Sequence, residues 1–460
     1  MVGVPSSRGC AACRKQKKKC DQQQPVCGRC SRLSIPCIGN GVKRWIFKQE
    51  NASTSTNRTV PSPRHSPSNE TTRVVSSLVF FLGVDDIRYG IRALGGDFIT
   101  DLPRRVGSSQ TLDTSVRAIL ASYQTLQYQG SKVEALARYG DALTALSTCL
   151  QDPKQSFATK IYTVYNINVC QEIIDRKPKY QQKHLEVIAT LLQEAHSQGR
   201  LAEIKDYLNG LCRLIAWESM INPNIILGTW FWEALNYSNT PRPITYYKPE
   251  IMMTVDIANL AEIGRFLRAP KKHLAQIRHL YNFMQSTKPR IRLATDQMRA
   301  VAAGPAASAS LIRMSAAYSV GYGTLLAMAS ILNRLLRMFD GDPGLVIESH
   351  TFCDEAIALA YNCSAFRPLG TLHIPNILKM MWAATSRAYR CAELEALIVD
   401  WETDIGGHLS IEEAHWIKDR LDELEARQYE YEGTQDPSIH PQGNTRVSDT
   451  SEPTGGCSIL

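Results

Sequence analysis

Apolar residues recur every three or four positions along most of the chain from about residue 110, the period of helices with one buried face. Val133, Leu136, Gly140, Leu143, Leu146 and Leu150 make one such stripe, ended by Asp152-Pro153. Phe157, Ile161, Val164, Ile167, Cys170 and Ile174 make the next. Pro178 suits the first turn of a helix whose Leu185, Ile188, Leu192 and Ala195 face inward and which stops at Gly199. Later stripes are Leu325, Ala329, Leu332, Leu336 and Phe339, then Ile377, Met381, Ala384, Ala388 and Cys391. Ser410 and Glu413 have capping-box spacing before Ile417, Leu421 and Leu424. Alternation typical of strands is confined to residues 74–84, where an amphipathic helix is the other reading. These patterns predict an all-α body of ten or more helices over residues 74–432.

Two stretches break the pattern. Residues 49–73 are dominated by Ser, Thr, Asn and Pro, and residues 433–460 return to Gly, Pro, Ser and Thr. Neither can bury a core, so both are expected to be disordered, one as a linker and one as a tail. The linker shows no heptad repeat and its prolines oppose a coiled coil, so any homodimer must form through the body. Residues 1–48 remain as a separate amino-terminal domain. The start of the chain has no apolar segment of signal-peptide type, and no apolar run approaches the roughly 20 residues that span a bilayer. The expectation is a reducing compartment and no membrane partner.

Charge sharpens the division. The 460 residues carry 52 Lys and Arg against 44 Asp and Glu, a net charge of +8. Between Arg8 and Lys48 eleven basic residues stand against the lone Asp21; the rest of the chain has 41 basic and 43 acidic residues. A basic head on a nearly neutral body points to a polyanion as the partner of the head.

The head also holds Cys10, Cys13, Cys20, Cys27, Cys30 and Cys37, spaced C-x2-C-x6-C-x6-C-x2-C-x6-C. This is one Cys-x2-Cys-x6-Cys unit written twice, once from Cys10 and again from Cys27. Thiols at such spacing in a reducing compartment favour zinc over disulfides. Structural zinc takes four ligands in a tetrahedron. One ion would strand two sulfurs; two ions need eight positions from six sulfurs, so two sulfurs must be shared. The twofold repeat favours equivalent positions, with Cys10 and Cys27 the natural pair, although spacing alone leaves that choice open. The other cysteines within the body, Cys149, Cys170, Cys212, Cys353, Cys363 and Cys391, sit on apolar faces and read as small buried hydrophobes.

The segment CAACRKQKKKCDQQQPVCGRCSRLSIPC, residues 10–37, resembles the fungal six-cysteine binuclear zinc cluster of transcription factors. The resemblance implies two zinc ions per chain, bridged by the first and fourth cysteines, here Cys10 and Cys27. It also implies a proline, often cis, two residues before the fourth cysteine, here Pro25; Lys19-Cys20-Asp21 matches the usual end of the first half. The first half carries Arg14, Lys15, Lys17, Lys18 and Lys19, whereas the second carries Arg32, Leu33, Ile35 and Pro36. The first half is therefore the expected double-stranded DNA face, docking a short helix in the major groove. By resemblance the base reader is Lys17, with Lys18 second, the remaining cations going to phosphates. The position before Lys17, often basic in the family, is Gln16. The family implies CGG-type half-sites. Trp45 and Phe47 are expected to pack back on the zinc module. The body resembles, in helical texture, the large regulatory domain that follows the cluster in many fungal regulators.

The expected fold is thus a small metal-stabilised binuclear zinc domain and a large all-α domain joined by a disordered linker. The expected function is a nuclear, sequence-specific regulator of transcription that works with the transcription machinery or co-regulators, on one pathway such as a secondary-metabolite gene cluster. It is not read as an enzyme: no Gly-rich phosphate loop, G-x-S-x-G or H-E-x-x-H occurs. Two other readings compete. One is a zinc-stabilised protein-interaction module whose basic run serves nuclear import. The other is a membrane-associated signalling protein prenylated at Cys457, since Cys457-Ser458-Ile459-Leu460 fits C-a-a-X. Acidic residues in the last helix, Glu412, Glu413, Asp419, Asp422, Glu423 and Glu425, read as a solvated face or an activation surface.

Overall fold

The computed structural model describes residues 9–38, 69–128, 131–174, 183–238, 255–385, 389–405 and 410–433. The chain divides into two units, Met1–Pro67 and Ser68–Leu460. In the first, two five-residue helices, α1 (Ala11–Lys15) and α2 (Gly28–Arg32), are followed by extended segments that carry the third cysteine of each half. Its buried centre consists of Cys10, Cys13, Cys27 and Cys30, with Ala12, Cys20, Ile35 and Cys37 against them.

The described part of the second unit is helical, with no strand. It opens on α3 (Glu70–Leu82), capped by the Asn69 side chain, which accepts from the Thr71 amide at 3.1 Å. Val74, Leu78 and Phe81 turn inward at helical spacing, so the strand reading of 74–84 gives way to the helical one. The helix also starts inside the stretch 49–73 expected to be linker. Its first turn, Glu70-Thr71-Thr72-Arg73, is polar because it lies at the capped end, and an apolar stripe alone does not reveal such a turn. The rest of that stretch, the tail beyond 433, and Trp45, Phe47, Pro178, Ala388 and Cys457 lie outside the described residues.

After α4 (Asp97–Arg105), helices α5 (Gln110–Tyr128), α6 (Val133–Gln151) and α7 (Phe157–Ile174) pack together, and α8 (His184–Ser197) lies on α7. The predicted face of α7 is buried, and so are Tyr162, Val169 and Ile173 on its other faces, making it a central helix. Leu185, Ile188, Leu192 and Ala195 of α8 face inward as expected, and Gly199 follows with φ of 66°. The stripe on α6 is the exception. Val133, Leu136, Leu143 and Leu150 are exposed; Ala135, Ala142, Leu146 and Cys149 face the core. Ala135 and Ala142 bring α6 close to its neighbours, leaving Leu146 as the one large residue of the stripe on the buried side.

The chain continues through α9 (Leu208–Ile221), α10 (Thr229–Ser238) and α11 (Ile257–Phe266) to two 29-residue helices, α12 (Leu274–Ala302) and α13 (Ala309–Arg337), packed side by side. Trp230 and Phe231 of α10 are buried and Trp232 is partly so, as core residues. Helix α13 is long and apolar enough to span a membrane, contrary to the sequence expectation, but most of its apolar stretch is buried inside the body. Leu325, Ala329, Leu332 and Leu336 face inward there. A Cβ on Gly323 would fall 2.1 Å from Ile377 Cδ1, so glycine is what lets α15 (Ile374–Ala384) approach. Helix α14 (Pro343–Cys363) packs on both. The stripe predicted from Ile377 to Cys391 ends at Ala384, and Cys391 instead opens α16 (Cys391–Glu402).

The last helix, α17 (Ser410–Gly433), lies against α15; Glu412, Asp419 and Glu423 are exposed, as a solvated face requires, and the other three acids are not. Glu413 is 1% exposed and meets Lys379 Nζ at 2.5 Å. Asp422 and Glu425 both accept from Arg334 of α13, at 2.8 and 2.6 Å. Removing one partner of a buried ion pair strands the other charge, whereas replacing both with apolar groups can be neutral. Lys379→Met should therefore destabilise the protein by about 3–5 kcal/mol, and Lys379→Met/Glu413→Leu should recover most of that loss. Urea unfolding of the three proteins checks this; a double variant no more stable than the single would refute it.

Candidate metal centre and nucleic-acid interface

The repeat in the sequence is repeated in the hydrogen bonds. Cys10 caps α1, its Sγ accepting from the Cys13 amide at 3.4 Å; Cys27 caps α2, accepting from the Cys30 amide at 3.4 Å. The amide of Cys10 points at Cys20 Sγ (3.5 Å) and that of Cys27 at Cys37 Sγ (3.4 Å). Lys18 N–H donates to Cys13 O at 2.9 Å, and Ile35 N–H, its counterpart in the second half, to Cys30 O at 3.1 Å. Lys17 and Ser34, also counterparts, both have positive φ, 52° and 48°. Each half is thus a short helix, a left-handed residue and an extended return, closed around sulfur.

The sulfurs converge in two sets of four, Cys10, Cys13, Cys20 and Cys27, and Cys10, Cys27, Cys30 and Cys37, each within 4.8 Å. Cys10 and Cys27 occur in both. Cys10–Cys27 and Cys13–Cys27 Sγ distances are 3.8 Å, and Cys10–Cys30 is 3.5 Å. Disulfides require about 2.05 Å, and none is formed here. Zinc with Zn–S bonds of about 2.3 Å in a tetrahedron requires sulfur–sulfur edges of about 3.8 Å. The donor set therefore fits thiolate-bound zinc and not a disulfide staple.

Protonation follows position. The Cys13 amide bonded to its sulfur holds the Cys10 thiol down at about 6, and the Cys30 amide does the same in direction for Cys27. Burial pushes Cys13 up to about 12 and raises Cys30 as well. The two cap sulfurs thus favour the thiolate more than Cys13 and Cys30 do.

The cationic residues of the first half stand on this frame. Lys15, Lys17, Lys18 and Lys19 are exposed, and Arg14 is half-buried with its Nε out of water and unpartnered. The backbone of Lys17 is fixed by its amide bond to Arg14 O (3.0 Å) and by its left-handed turn. The matching positions in the second half are Ser31, Arg32, Leu33, Ser34, Ile35 and Pro36, of which Arg32 alone is charged. One scaffold thus presents two chemically different faces.

Two features were missed in the sequence. Gln16, the departure from a basic residue, accepts from Arg29 Nη2 at 2.9 Å and so ties the halves together. Asp21 accepts the Gly28 amide at 2.9 and 3.2 Å, at the start of α2. In the other half the equivalent amide, Ala11 N–H, donates to Ile38 O at 2.9 Å. A Cβ on Gly28 would come 2.6 Å from Asp21 Oδ2, so the carboxylate needs glycine there. The signal was present: the only acid of the head follows Cys20, and the smallest residue follows Cys27. The peptide bond Gln24–Pro25 between the halves is cis, as the resemblance implied.

These features define a small module organised by metal, with a basic face on one half. The fungal Zn(2)-Cys(6) binuclear cluster domain family matches residues 8–45. The head carries all six cysteines of that domain, and two zinc ions are its cofactor. The chain is 50% identical over 32 residues to Sterol uptake control protein 2 of Candida albicans, covering 7% of this chain and 4% of that protein. It is 30% identical over 83 residues to Transcriptional activator protein UGA3 of Saccharomyces cerevisiae, 18% of this chain and 16% of that one. It is 50% identical over 44 residues to Pestheic acid cluster transcriptional regulator 3 of Pestalotiopsis fici, 9% and 8%. The chain therefore spans under a fifth of the curated relatives it matches. No solved structure matches it.

Zinc must displace the protons that Cys13 and Cys30 still hold near neutrality. Zinc uptake by the metal-free protein should therefore release protons at pH 7, and apparent affinity should rise with pH. Calorimetry in buffers of different ionisation enthalpy checks this; uptake with no proton release would contradict the assignment.

Proposed function

We propose that the protein is a nuclear, sequence-specific, DNA-binding regulator of transcription. The observation that carries the proposal is the exposed row Lys15, Lys17, Lys18 and Lys19 on one half of a sulfur-bound twofold frame, with no counterpart row on the other. Phosphate contacts from such a row give salt-dependent affinity, and a lysine in the major groove can donate to guanine O6 and N7. The ligands are Cys10, Cys13, Cys20, Cys27, Cys30 and Cys37. Cys10 and Cys27 bridge the two ions, a reading supported by their presence in both sulfur sets. The bound ions supply fixed geometry, not chemistry.

Lys17 reads a base, with Lys18 beside it; Arg14, Lys15 and Lys19 serve phosphates. The left-handed backbone at Lys17 supports its role, because it fixes where the side chain leaves the frame. The half-site is of CGG type, an inference resting on the family resemblance. Control of a secondary-metabolite cluster is the pathway reading, supported by the printed name of the Pestalotiopsis fici relative. The body receives co-regulators or the transcription machinery, and no catalysis is assigned to it.

Zinc-loaded full-length protein should prefer CGG-containing duplexes over scrambled ones. Lys17→Ala should cut that preference by about 1–3 kcal/mol, whereas Lys19→Ala should weaken binding to all duplexes alike and lower the salt slope by about 1. Fluorescence anisotropy across salt concentrations separates the two. Equal loss on every duplex with Lys17→Ala would make Lys17 a phosphate contact, and no preference in the parent would leave a zinc-stabilised interaction module. Cys10→Ala or Cys27→Ala should lose both ions together; a variant that keeps two zincs by elemental analysis would defeat the bridge assignment.

A further inference from the structure

The outward stripe on α6 has a register of its own. Val133, Leu136, Gly140, Leu143, Ser147 and Leu150 are separated by three, four, three, four and three residues, the a/d spacing of a coiled-coil seam. All six are exposed, with Val133 at 73%, Leu136 at 45%, Leu143 at 38% and Leu150 at 36%. No charged residue lies on the seam.

We propose that this seam pairs antiparallel with the same seam of a second copy of the chain, giving a twofold dimer through the body. The register is self-complementary. A twofold axis between Asp141 and Ala142 sets Leu143 opposite Gly140 of the second copy, Leu136 opposite its Ser147, and Val133 opposite its Leu150. Leu136 and Leu143 thus each face a small residue, and by symmetry each relation occurs twice, the mark of an isologous interface. A Cβ on Gly140 would meet nothing within 4 Å in the single chain, so the space beside it is open to a leucine. Parallel pairing in register would instead set Gly140 on Gly140 and Ser147 on Ser147, leaving voids.

Charge agrees with the antiparallel arrangement. It brings Lys132, whose Nζ donates to Ile174 O of its own chain at 3.3 Å, near Asp152 of the second copy, which accepts from its own Lys154 amide at 2.9 Å, so unlike charges lie near each other at both ends of the seam. The uncharged Thr144, Thr148 and Gln151 lie along the half that meets Glu134 and Arg138, and the one like-charge approach is Asp141 to its own twofold mate, off the seam beside the axis. A 19-residue helix is about 28 Å long, and two such helices side by side bury on the order of 1,000 Å² in total, the lower end for a specific interface.

The test is self-association of the zinc-loaded full chain by sedimentation equilibrium across the micromolar range. The parent should show a monomer–dimer equilibrium. Gly140→Leu should leave the body folded, since its side chain enters open space, yet fill the notch and weaken the dimer by about tenfold or more. Gly140→Leu/Leu143→Ala should restore the dimer, because the twofold register then sets the new leucine against the new alanine. A parent that stays monomeric would overturn the proposal, including the case in which another segment of the same chain covers the seam. So would a dimer indifferent to Gly140→Leu, or a double variant no tighter than the single. None of these outcomes depends on whether the head binds DNA.

Discussion

Six sulfurs and two tetrahedral ions leave two sulfurs to be shared, and the amino-terminal unit is arranged around that constraint. Its described part runs from residue 9 to 38, too short to bury an apolar core of its own. What it buries is sulfur. The first cysteine of each triplet serves twice, capping a short helix through its Sγ and standing in both groups of four. A helix of five residues has no stability by itself. Here the caps, the left-handed turns at Lys17 and Ser34 and the extended returns all close on the same centre.

A twofold frame with two different surfaces separates holding the sulfurs from presenting charge. Backbone contacts repeat from the first half to the second, while side chains diverge. The divergence also enters the frame. Where one half meets the first amide of its helix with Ile38 O, the other uses the Asp21 carboxylate, and Gly28 makes room for it. A carboxylate at that helix start offsets part of the positive charge crowded into the first half without occupying the exposed row. Gln16, though exposed, accepts from Arg29 of the other half and so serves the frame.

The metal centre was legible in the sequence because ligand spacing is local and its stoichiometry is arithmetic. The helices of the body were legible because a stripe such as Phe157 to Ile174 spans five turns without ambiguity. Direction was harder. Periodicity says that a helix has an apolar face, not that the face is inside. In α6 Leu136, Leu143 and Leu150 point out and Leu146 points in, because Ala135 and Ala142 permit a closer approach than leucine would, a choice made by α5 and α7 rather than by α6. The pairing of Glu413, Asp422 and Glu425 on α17 went unread for the same reason, since their partners, Arg334 on α13 and Lys379 on α15, belong to other helices. The start of α3 was misplaced because capped first turns are polar, like linkers.

The outward face of α6 bears on how a small head could find a site. One head offers Arg14, Lys15, Lys17, Lys18 and Lys19, and most of what such a row contributes is indifferent to sequence. In the proposed role the base-reading part would rest on one or two side chains, each worth about 1–3 kcal/mol of discrimination. The proposed twofold pair of bodies would carry two heads. Once the first is bound, the second would engage intramolecularly, a gain of about 10²–10⁴ without any new contact in either head. Within the head, repetition shares sulfur between two halves to make one rigid surface. Between bodies, repetition of the α6 seam would share one search between two such surfaces, and specificity would then depend on the spacing of half-sites as well as on the lysines.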